Sequence, residues 1–294
     1  MSKYLRNNVL EIEVGEPGEM YTGSRFDHSG NIRQIKFNGK HTFCTTENAE
    51  FSSAHGFGLL NEFDINGPAG YSDANQGEHF LKIGVGSLLK ENQVPYNFLN
   101  RFKNEPLVFD VVQSVETQLD FKTKSTLVGG IQILYNKQLS ISENQLTIDY
   151  FLKNIGEKSF STEEYCHNFL AIDQHGVSAD YQLKFDFELN PGLFSKYINP
   201  EGLMVLSSDS ISWKHKPLYD FFIAGLSGSQ PRKASWTLTN KREKVGVSEQ
   251  TDFEISKINL WGNGHVISPE LFHQISLAPG EETSWKRVYT FFEI

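Results

Sequence analysis

Apolar and polar residues alternate with a period of two along most of the chain. Ile131, Ile133 and Tyr135 share one face of such a segment, and residues 146–152 repeat the pattern. Successive side chains of a strand point to opposite faces of a sheet, so the alternation predicts strands. Residues 142–145 (Ser-Glu-Asn-Gln) predict a hairpin turn between two of them. Further strands are predicted at residues 108–115, 181–188, 221–226, 235–239, 253–261 and 285–292.

Helical periodicity is weak throughout the sequence. No amphipathic helix of three or more turns is predicted, and short helical turns are expected only near residues 51–54, 96–101 and 217–220. Many strands with almost no helix imply antiparallel sheets that pack as a sandwich. No linker or repeat divides the chain. The sequence therefore predicts an all-β fold, a large antiparallel β-sandwich that forms one domain over residues 1–294.

Composition narrows the class of partner. The chain has 294 residues, of which 38% are hydrophobic, and a net charge of −9, which argues against nucleic acid and anionic membranes as partners. No run approaches the ~18 apolar residues of a membrane helix, and residues 1–8 lack the apolar core of a signal peptide. Cys44 and Cys166 could pair, but they are too few for a disulfide framework. We expect a soluble cytoplasmic protein that is a monomer or a homodimer.

Common catalytic motifs are missing from the sequence, including HExxH, CxxC and the P-loop. Residues 225–229 (Gly-Leu-Ser-Gly-Ser) lack the final glycine of a nucleophile elbow, and residues 84–86 (Gly-Val-Gly) are too short for a dinucleotide fingerprint. The nine histidines are dispersed, with no pair at metal-ligand spacing. The sequence thus predicts neither a cofactor nor a metal, although a metal site assembled from distant loops stays open.

The stretch most suggestive of chemistry is residues 163–173, which predict a strand with a histidine near its middle. Glu163, Tyr165, His167 and Phe169 would share one face of it, and the intervening residues would share the other. The first face offers an acid–base group, a hydroxyl and aromatic rings, which suits the hydroxyls and C–H groups of a sugar. The alternative is a core histidine that is bonded to a backbone carbonyl.

Three more residues stand in suggestive contexts. Glu270 follows Pro269 between apolar residues, where desolvation would raise its pKa and make it a better base, unless it is a rim residue in a turn. His55 is flanked by glycines that let a loop approach a ligand closely, or it caps a backbone group. Arg25, close to Asp27, forms either a structural ion pair or a fork for sugar hydroxyls.

Taken in order along the chain, these segments resemble the aldose 1-epimerase (galactose mutarotase-like) superfamily. The segments that carry the likeness are residues 21–32, 54–57, 165–169, 267–270 and 277–282. The second, third and fourth resemble the family segments that hold two active-site histidines and the catalytic glutamate. The fifth, Leu-Ala-Pro-Gly-Glu-Glu, resembles the final structural turn of the family. The likeness thus spans most of the sequence.

The resemblance implies the galactose mutarotase-like supersandwich and the interconversion of α- and β-anomers of an aldose. The ligand would be a monosaccharide or a short oligosaccharide in a concave cleft. His167 would protonate the ring oxygen and Glu270 would take the proton of the anomeric hydroxyl, without a cofactor. His55 and Arg25 would hold hydroxyls. Lys82 would add positive charge near the cleft, or else lie at the surface.

Departures from the family pattern bear on the function. Gly58-Leu59 stands where the sugar-phosphate branch has an arginine, which argues against a phosphorylated substrate. His167 is followed by Asn168-Phe169, where Pro-Tyr or Ser-Tyr-Phe is commoner, and this keeps other functions open. One alternative is a non-catalytic carbohydrate-binding protein of the same fold. The other is a polysaccharide-processing hydrolase or lyase that uses the same histidine and glutamate.

Overall fold

The computed structural model describes residues 2–228 and 232–294, and strands dominate it. In chain order the strands are β1 (Ser2–Arg6), β2 (Leu10–Gly15), β3 (Asn31–Phe37), β4 (His41–Thr42), β5 (Leu59–Phe63), β6 (His79–Lys82), β7 (Gly86–Leu89), β8 (Asn104–Pro106), β9 (Asp110–Val115), β10 (Gln118–Lys124), β11 (Ile133–Ser142), β12 (Gln145–Asn154), β13 (Phe160–Asn168), β14 (Tyr181–Phe185), β15 (Lys196–Ile198), β16 (Met204–Leu206), β17 (Ser210–Trp213), β18 (Phe221–Ala224), β19 (Ser235–Asn240), β20 (Val245–Thr251), β21 (Lys257–Asn263), β22 (Val266–Leu277) and β23 (Glu282–Glu293). Two short 3₁₀ helices cover Ile172–Gln174 and Pro191–Leu193.

Two large antiparallel sheets make the sandwich. The first has the order β1-β2-β3-β5-β13-β22-β21-β18-β15, with β4 beside β3, and the second has the order β16-β17-β14-β19-β20-β23-β12-β11-β10-β9. A small sheet of β6, β7 and β8 accompanies them. Apolar side chains of both large sheets form one buried cluster between them. This arrangement confirms the predicted all-β fold and its antiparallel sandwich.

The hairpin of β11 and β12 shows how the sequence pattern produces the sheet. Ile133 and Tyr135 are fully buried, as their alternation predicts. Ser142 pairs with Gln145 across a two-residue turn, in which Glu143 has a φ of 50°. The predicted hairpin turn is therefore confirmed.

The predicted strand at residues 163–173 is wrong at both ends. The strand is β13, and the chain beyond it turns into the first 3₁₀ helix. Asp173 has a φ of 50° there, and its carboxylate accepts the backbone N–H of Thr42 and contacts His41 Nδ1, both at 2.7 Å. These bonds to a distant strand outweigh the local preference for extended backbone.

Other expectations also meet the structure here. The three segments expected to form helical turns, all within the described residues, are turns, bends or irregular chain instead. Cys44 and Cys166 are both buried free thiols. The stretch tested as a nucleophile elbow ends at residue 229, which lies outside the described residues. Among the described residues, no helix has the length and apolar character needed to cross a membrane.

Candidate active site

The site forms where two central strands of the first sheet separate. The backbone pairing of β13 with β22 runs as far as Tyr165 opposite Phe272. The two segments pair again at a bridge between Leu170 and Ile267. In this separated stretch, His167 lies on β13 and Glu270 lies on β22. The parting of the strands therefore leaves room for side chains between them.

Pro269 explains why the pairing stops. Its carbonyl faces β13, where it accepts the side-chain amide of Asn168 at 2.6 Å. In an antiparallel sheet, the N–H and C=O of one residue point toward the same neighbouring strand. Because the Pro269 carbonyl faces β13, the N–H that proline lacks is a bond that β13 does not receive. Ser268 Oγ accepts the backbone N–H of Asn168 at 3.1 Å. Side chains thus replace the backbone bonds of the ladder.

His167 and Glu270 lie in direct contact. His167 Nε2 is 3.3 Å from Glu270 Oε1, and Ser268 Oγ lies 2.8 Å from His167 Nδ1 and 3.3 Å from the same Glu270 oxygen. Each of the two residues is 4% exposed. Both ring nitrogens therefore contact side chains, unlike those of a core histidine bonded to a backbone carbonyl. Glu270 lies within a long strand, so its alternative placement in a turn is wrong.

Aromatic rings fix the imidazole. His167 stacks on Phe169 with ring centroids 4.0 Å apart, and it meets the edge of Trp261 at 5.4 Å. Gly56 makes this stacking possible, because a Cβ there would lie 2.1 Å from the Phe169 ring. The glycine beside His55 thus serves ring packing in this structure.

Burial shifts the pKa of both members of the pair toward their uncharged forms. Desolvation lowers the pKa of His167 well below its usual value, and the Arg25 charge acts in the same direction. Desolvation raises the pKa of Glu270 to about 8, against the opposing effect of Arg25. Both shifts favour a protonated Glu270 carboxyl beside a neutral imidazole, which is one proton for the pair near neutral pH.

Arg25 is the cation that acts most strongly on the pKa values of His167 and Glu270. Its Nε lies 2.7 Å from Glu62 Oε2, its Nη1 lies 3.4 Å from Glu47 and its Nη2 lies 3.1 Å from the hydroxyl of Tyr165. The side chain is 13% exposed, so part of the fork still reaches the cavity. Asp27 instead bonds Ser29 and other core groups, so the pairing weighed between it and Arg25 is wrong.

The loop that carries Arg25 is held by a tyrosine. The hydroxyl of Tyr21 accepts the backbone N–H groups of Arg25 and Phe26 at 3.0 and 3.1 Å. The guanidinium then lies between the rings of Phe26 and Phe98, 4.4 and 4.5 Å from their centroids. These cation–π contacts orient a charge that the sequence alone leaves unplaced.

Lys82 and His55 make their contacts away from His167 and Glu270. Lys82 is fully buried, so the surface placement considered for it is wrong. Its Nζ lies 3.5 Å from Glu62 and 3.2 Å from the hydroxyl of Tyr96, and burial lowers its pKa against the effect of Glu62. His55 is exposed, and its Nδ1 contacts the side chain of Asn48 at 2.8 Å. Asn48 in turn lines the cavity.

His167 and Glu270 line a cavity of about 750 Å³. Pockets of roughly 300–1,000 Å³ are typical of small-molecule sites. Besides the residues above, the lining includes polar and charged groups that can bond hydroxyls: Lys196, Asp220, Asn259 and Asn263. Trp261 adds an aromatic wall. The cavity therefore combines ring faces with hydrogen-bonding groups, as a polyhydroxylated ligand requires.

Sequence reasoning missed two important residues of this site, Glu62 and Trp261. Glu62 bonds both Arg25 and the hydroxyl of Tyr165, and every residue of its strand β5 is buried. A charged residue inside the apolar run Leu-Leu-Asn-Glu-Phe was the available signal, because buried charges are normally paired. The alternation of β21 marks Trp261 as a strand residue but gives no indication of its partner, His167.

Structure comparison finds solved proteins with this architecture over the whole chain. A galactose mutarotase related enzyme from Lactobacillus acidophilus is 12% identical with a TM-score of 0.62, covering 100% of this chain and 98% of that chain. An aldose epimerase homologue from C. elegans is 12% identical with a TM-score of 0.58 and full coverage of both chains, 100% and 100%. A galactose mutarotase-like protein from Lactobacillus casei is 12% identical with a TM-score of 0.60, covering 99% and 100%.

These likenesses define the class of protein at the level of the fold. The chain has the galactose mutarotase-like β-sandwich, as the resemblance of its sequence segments implies. No protein-family model and no curated protein matches the sequence. At this identity the fold is what the comparison establishes, so the activity has to be argued from the residues of the site.

Proposed function

We propose that the protein is an aldose 1-epimerase-type isomerase that interconverts the α- and β-anomers of a sugar. The observation that carries this proposal is the 3.3 Å contact between His167 Nε2 and Glu270 Oε1 at the wall of the cavity. The ring oxygen and the anomeric hydroxyl of a pyranose are bonded to the same carbon. An acid and a base that serve both must therefore lie side by side, as these two residues do.

The proton count of the pair suits this reaction. Ring opening delivers one proton to the ring oxygen, breaks its bond to C1, and removes the proton of the anomeric hydroxyl as the aldehyde forms. The pair gives one proton and receives one, so a pair that holds a single proton supplies one acid and one base. Rotation about the C1–C2 bond and reclosure with exchanged roles then invert the anomer.

The direct contact also reconciles the resting state with the assignment that the family resemblance implies. In the free protein both pKa shifts favour the proton on Glu270, whereas ring opening by His167 as the acid needs it on the imidazole. A shift of this proton from Glu270 to His167 as the sugar binds leaves Glu270 as the base. The titration behaviour belongs to the pair, whichever member holds the proton.

The remaining candidate residues take graded roles in this proposal. Arg25 and the hydroxyl of Tyr165 bond sugar hydroxyls, and Trp261 packs on the C–H groups of the ring. Lys82 acts through Glu62, which it contacts, rather than on the ligand. His55 is reached by a ligand that extends past Asn48, such as a short oligosaccharide. The two free thiols suit a reducing compartment, so we place the protein in the cytoplasm. The proposed reaction on a sugar places it in carbohydrate metabolism.

The test is anomer exchange measured by NMR or polarimetry on freshly dissolved α-aldoses. The wild type should accelerate exchange, and His167→Asn and Glu270→Gln should each lower kcat/KM by about 10²–10⁴-fold, the usual effect of a lost proton-transfer group. Equal rates for all three proteins would refute the proposal. Sugar binding by calorimetry without exchange would indicate a carbohydrate-binding protein instead. New reducing ends or unsaturated products from oligosaccharides would indicate a hydrolase or a lyase.

A further inference from the structure

The cavity face of the first large sheet carries a row of apolar side chains that leads away from His167. Trp261 on β21 pairs with Phe222 on β18, and Phe222 pairs in turn with Ile198 on β15. All three side chains line the cavity. Directly opposed residues of neighbouring strands have their side chains on the same face of a sheet, so the three form one continuous row. The row begins beside the imidazole of His167, whose centroid is 5.4 Å from that of Trp261.

Hydrogen-bonding groups flank the first ring of this row. Asn259 and Asn263 stand two residues before and two residues after Trp261 on β21, so the three share a face, and both asparagines line the cavity. Their side-chain oxygens already accept backbone N–H groups, that of Gly225 at 3.2 Å and that of His265 at 3.1 Å. Each amide is thereby held in place, and its NH₂ group is a donor from which a ligand can accept a hydrogen bond.

A similar arrangement surrounds the second ring. Asp220 stands two residues before Phe222 and lines the cavity, and Lys196 has its Nζ 5.6 Å from the centroid of the Phe222 ring. A ring with hydrogen-bonding groups beside it therefore occurs on two adjacent strands. In the described structure β15 is the last strand of the first sheet, and all three of its residues are exposed. The row thus ends at solvent.

We infer that the ligand of this site is a neutral oligosaccharide of at least two pyranose units, an inference that rests on the proposed function. The unit at the reducing end lies beside Trp261, because only that unit has the free anomeric hydroxyl on which His167 and Glu270 act. The next unit lies over Phe222, and the chain leaves the cavity across Ile198. Neighbouring strands are about 4.8 Å apart, close to the length of one pyranose unit, so successive strands present their side chains to successive sugars.

The chemistry of the lining fits a neutral glycan. A pyranose has C–H groups on its faces and hydroxyls at its edges, which match aromatic rings flanked by amide, carboxylate and ammonium groups. The raised pKa of Glu270 favours its neutral form. The other charged side chains of the described lining balance as two cations and two anions: Arg25, Lys196, Glu47 and Asp220. An acidic sugar would therefore find no surplus cation, and the volume of about 750 Å³ exceeds what a single pyranose fills.

The experiment measures anomer exchange on glucose and galactose and on their α-1,4- and β-1,4-linked di- and trisaccharides. We expect kcat/KM to rise about tenfold from monosaccharide to disaccharide in at least one series, because one aromatic contact is worth about a factor of ten. Phe222→Ala should remove this rise, and Phe222→Tyr, which keeps the ring, should retain it. Calorimetry on the same sugars gives the Kd values independently of exchange, and the Tm of each variant shows that it is folded.

Tyr197→Ala is the matched control for the loss of a ring. Tyr197 is a 48% exposed residue of the same edge strand, and it lies between Lys196 and Ile198, so its side chain alternates to the other face. This variant should keep the oligosaccharide preference of the wild type. A preference lost in His55→Gln and kept in Phe222→Ala would overturn the inferred direction, since the chain would then leave past Asn48.

The two measurements separate this inference from the proposed activity. Exchange that is no faster, with binding no tighter, for oligosaccharides than for monosaccharides in every series would overturn the inference and leave the isomerase intact. It would also indicate a different occupant of the outer groove, such as a peptide strand paired with β15. Oligosaccharide binding that depends on Phe222 but occurs without exchange would support the groove and refute the isomerase.

Discussion

Buried ionisable side chains have different partners on the two faces of β13. On the face toward the sandwich core, Glu164 lies 2.7 Å from Arg287, which also meets Glu249 at 2.6 Å. On the face toward the cavity, His167 and Glu270 meet without a cation bonded to either, and the Arg25 guanidinium that influences both is bonded to other acids. Both groups of side chains are almost completely buried.

The difference shows how Glu164 and His167, three residues apart on one strand, come to have different surroundings. Burial raises the pKa of Glu249 as it does that of Glu270, but Arg287 and several hydrogen bonds oppose the shift at Glu249. Compensated charges contribute to a fixed core and have little freedom to exchange protons. The pair at the cavity has no arginine bonded to either member, and the raised pKa of Glu270, about 8, suits the proton transfer of the proposed reaction.

The largest expected effect tests whether the cavity pair acts as one unit. The double variant His167→Asn/Glu270→Gln should lose about as much activity as either single variant, roughly 10²–10⁴-fold and not the product of both factors. The reason is that protonation of the ring oxygen and deprotonation of the anomeric hydroxyl both depend on the single proton that the pair shares. Anomer-exchange rates measured by NMR check this, with Glu282→Gln, an exposed acid paired with Lys153, as the control. Multiplicative losses would show that the two residues act separately.

On the core face, the expected effect falls on stability. Arg287→Met should lower the free energy of unfolding by about 3–5 kcal/mol, because it leaves Glu164 and Glu249 buried without their cation. Urea denaturation measures this change. Adding Glu164→Gln and Glu249→Gln should recover a large part of the loss. A triple variant as unstable as the single one would show that packing, and not charge, is responsible.

A smaller effect, on both stability and activity, is expected from a substitution of Asn168, which contacts groups of the core and of the cavity wall. Its amide bonds Pro269 O at 2.6 Å and its oxygen accepts the Tyr289 hydroxyl at 2.9 Å. Asn168→Leu should cost about 1–3 kcal/mol of stability through these unpaired groups, and should lower kcat more than it raises KM, because the catalytic residues on either side shift. Cys166→Ala, on the same face of β13, should lose stability alone. An unchanged kcat in Asn168→Leu would contradict the positioning role.

The smallest expected effect is the pH dependence of kcat/KM. Below a pH of about 8 the pair keeps the proton that Glu270 holds, and above it the pair has no acid, so the rate should fall about tenfold per pH unit. On the acid side the pKa of His167 is lowered well below 6.5, so the base should persist down to that lower value. Initial rates across the pH range check this. A rate that rises beyond pH 8 would contradict the shared-proton arrangement.

The sequence predicts the local features of this structure, the strands and the faces of their side chains. Alternation predicts the sheets, and it places Glu164 and His167 on opposite faces of β13 as observed. It cannot show partners that come from distant strands. Glu62 reaches Tyr165 across 103 residues, and the burial of Lys82 depends on that same carboxylate. Family resemblance supplies His167 and Glu270 because it compares whole segments, which the chemistry of single residues cannot do.

The gap beside Pro269 has a consequence for how such a site can change during evolution. Where strands pair through backbone bonds, their spacing is nearly independent of which side chains they carry. Beside Pro269 the spacing of β13 and β22 depends instead on the side chains of Asn168 and Ser268. A single substitution at either position can therefore alter the distance between His167 and Glu270 while the rest of the sheet stays as it is. The geometry of this pair is in this way open to mutation one residue at a time, on a scaffold that need not be rebuilt.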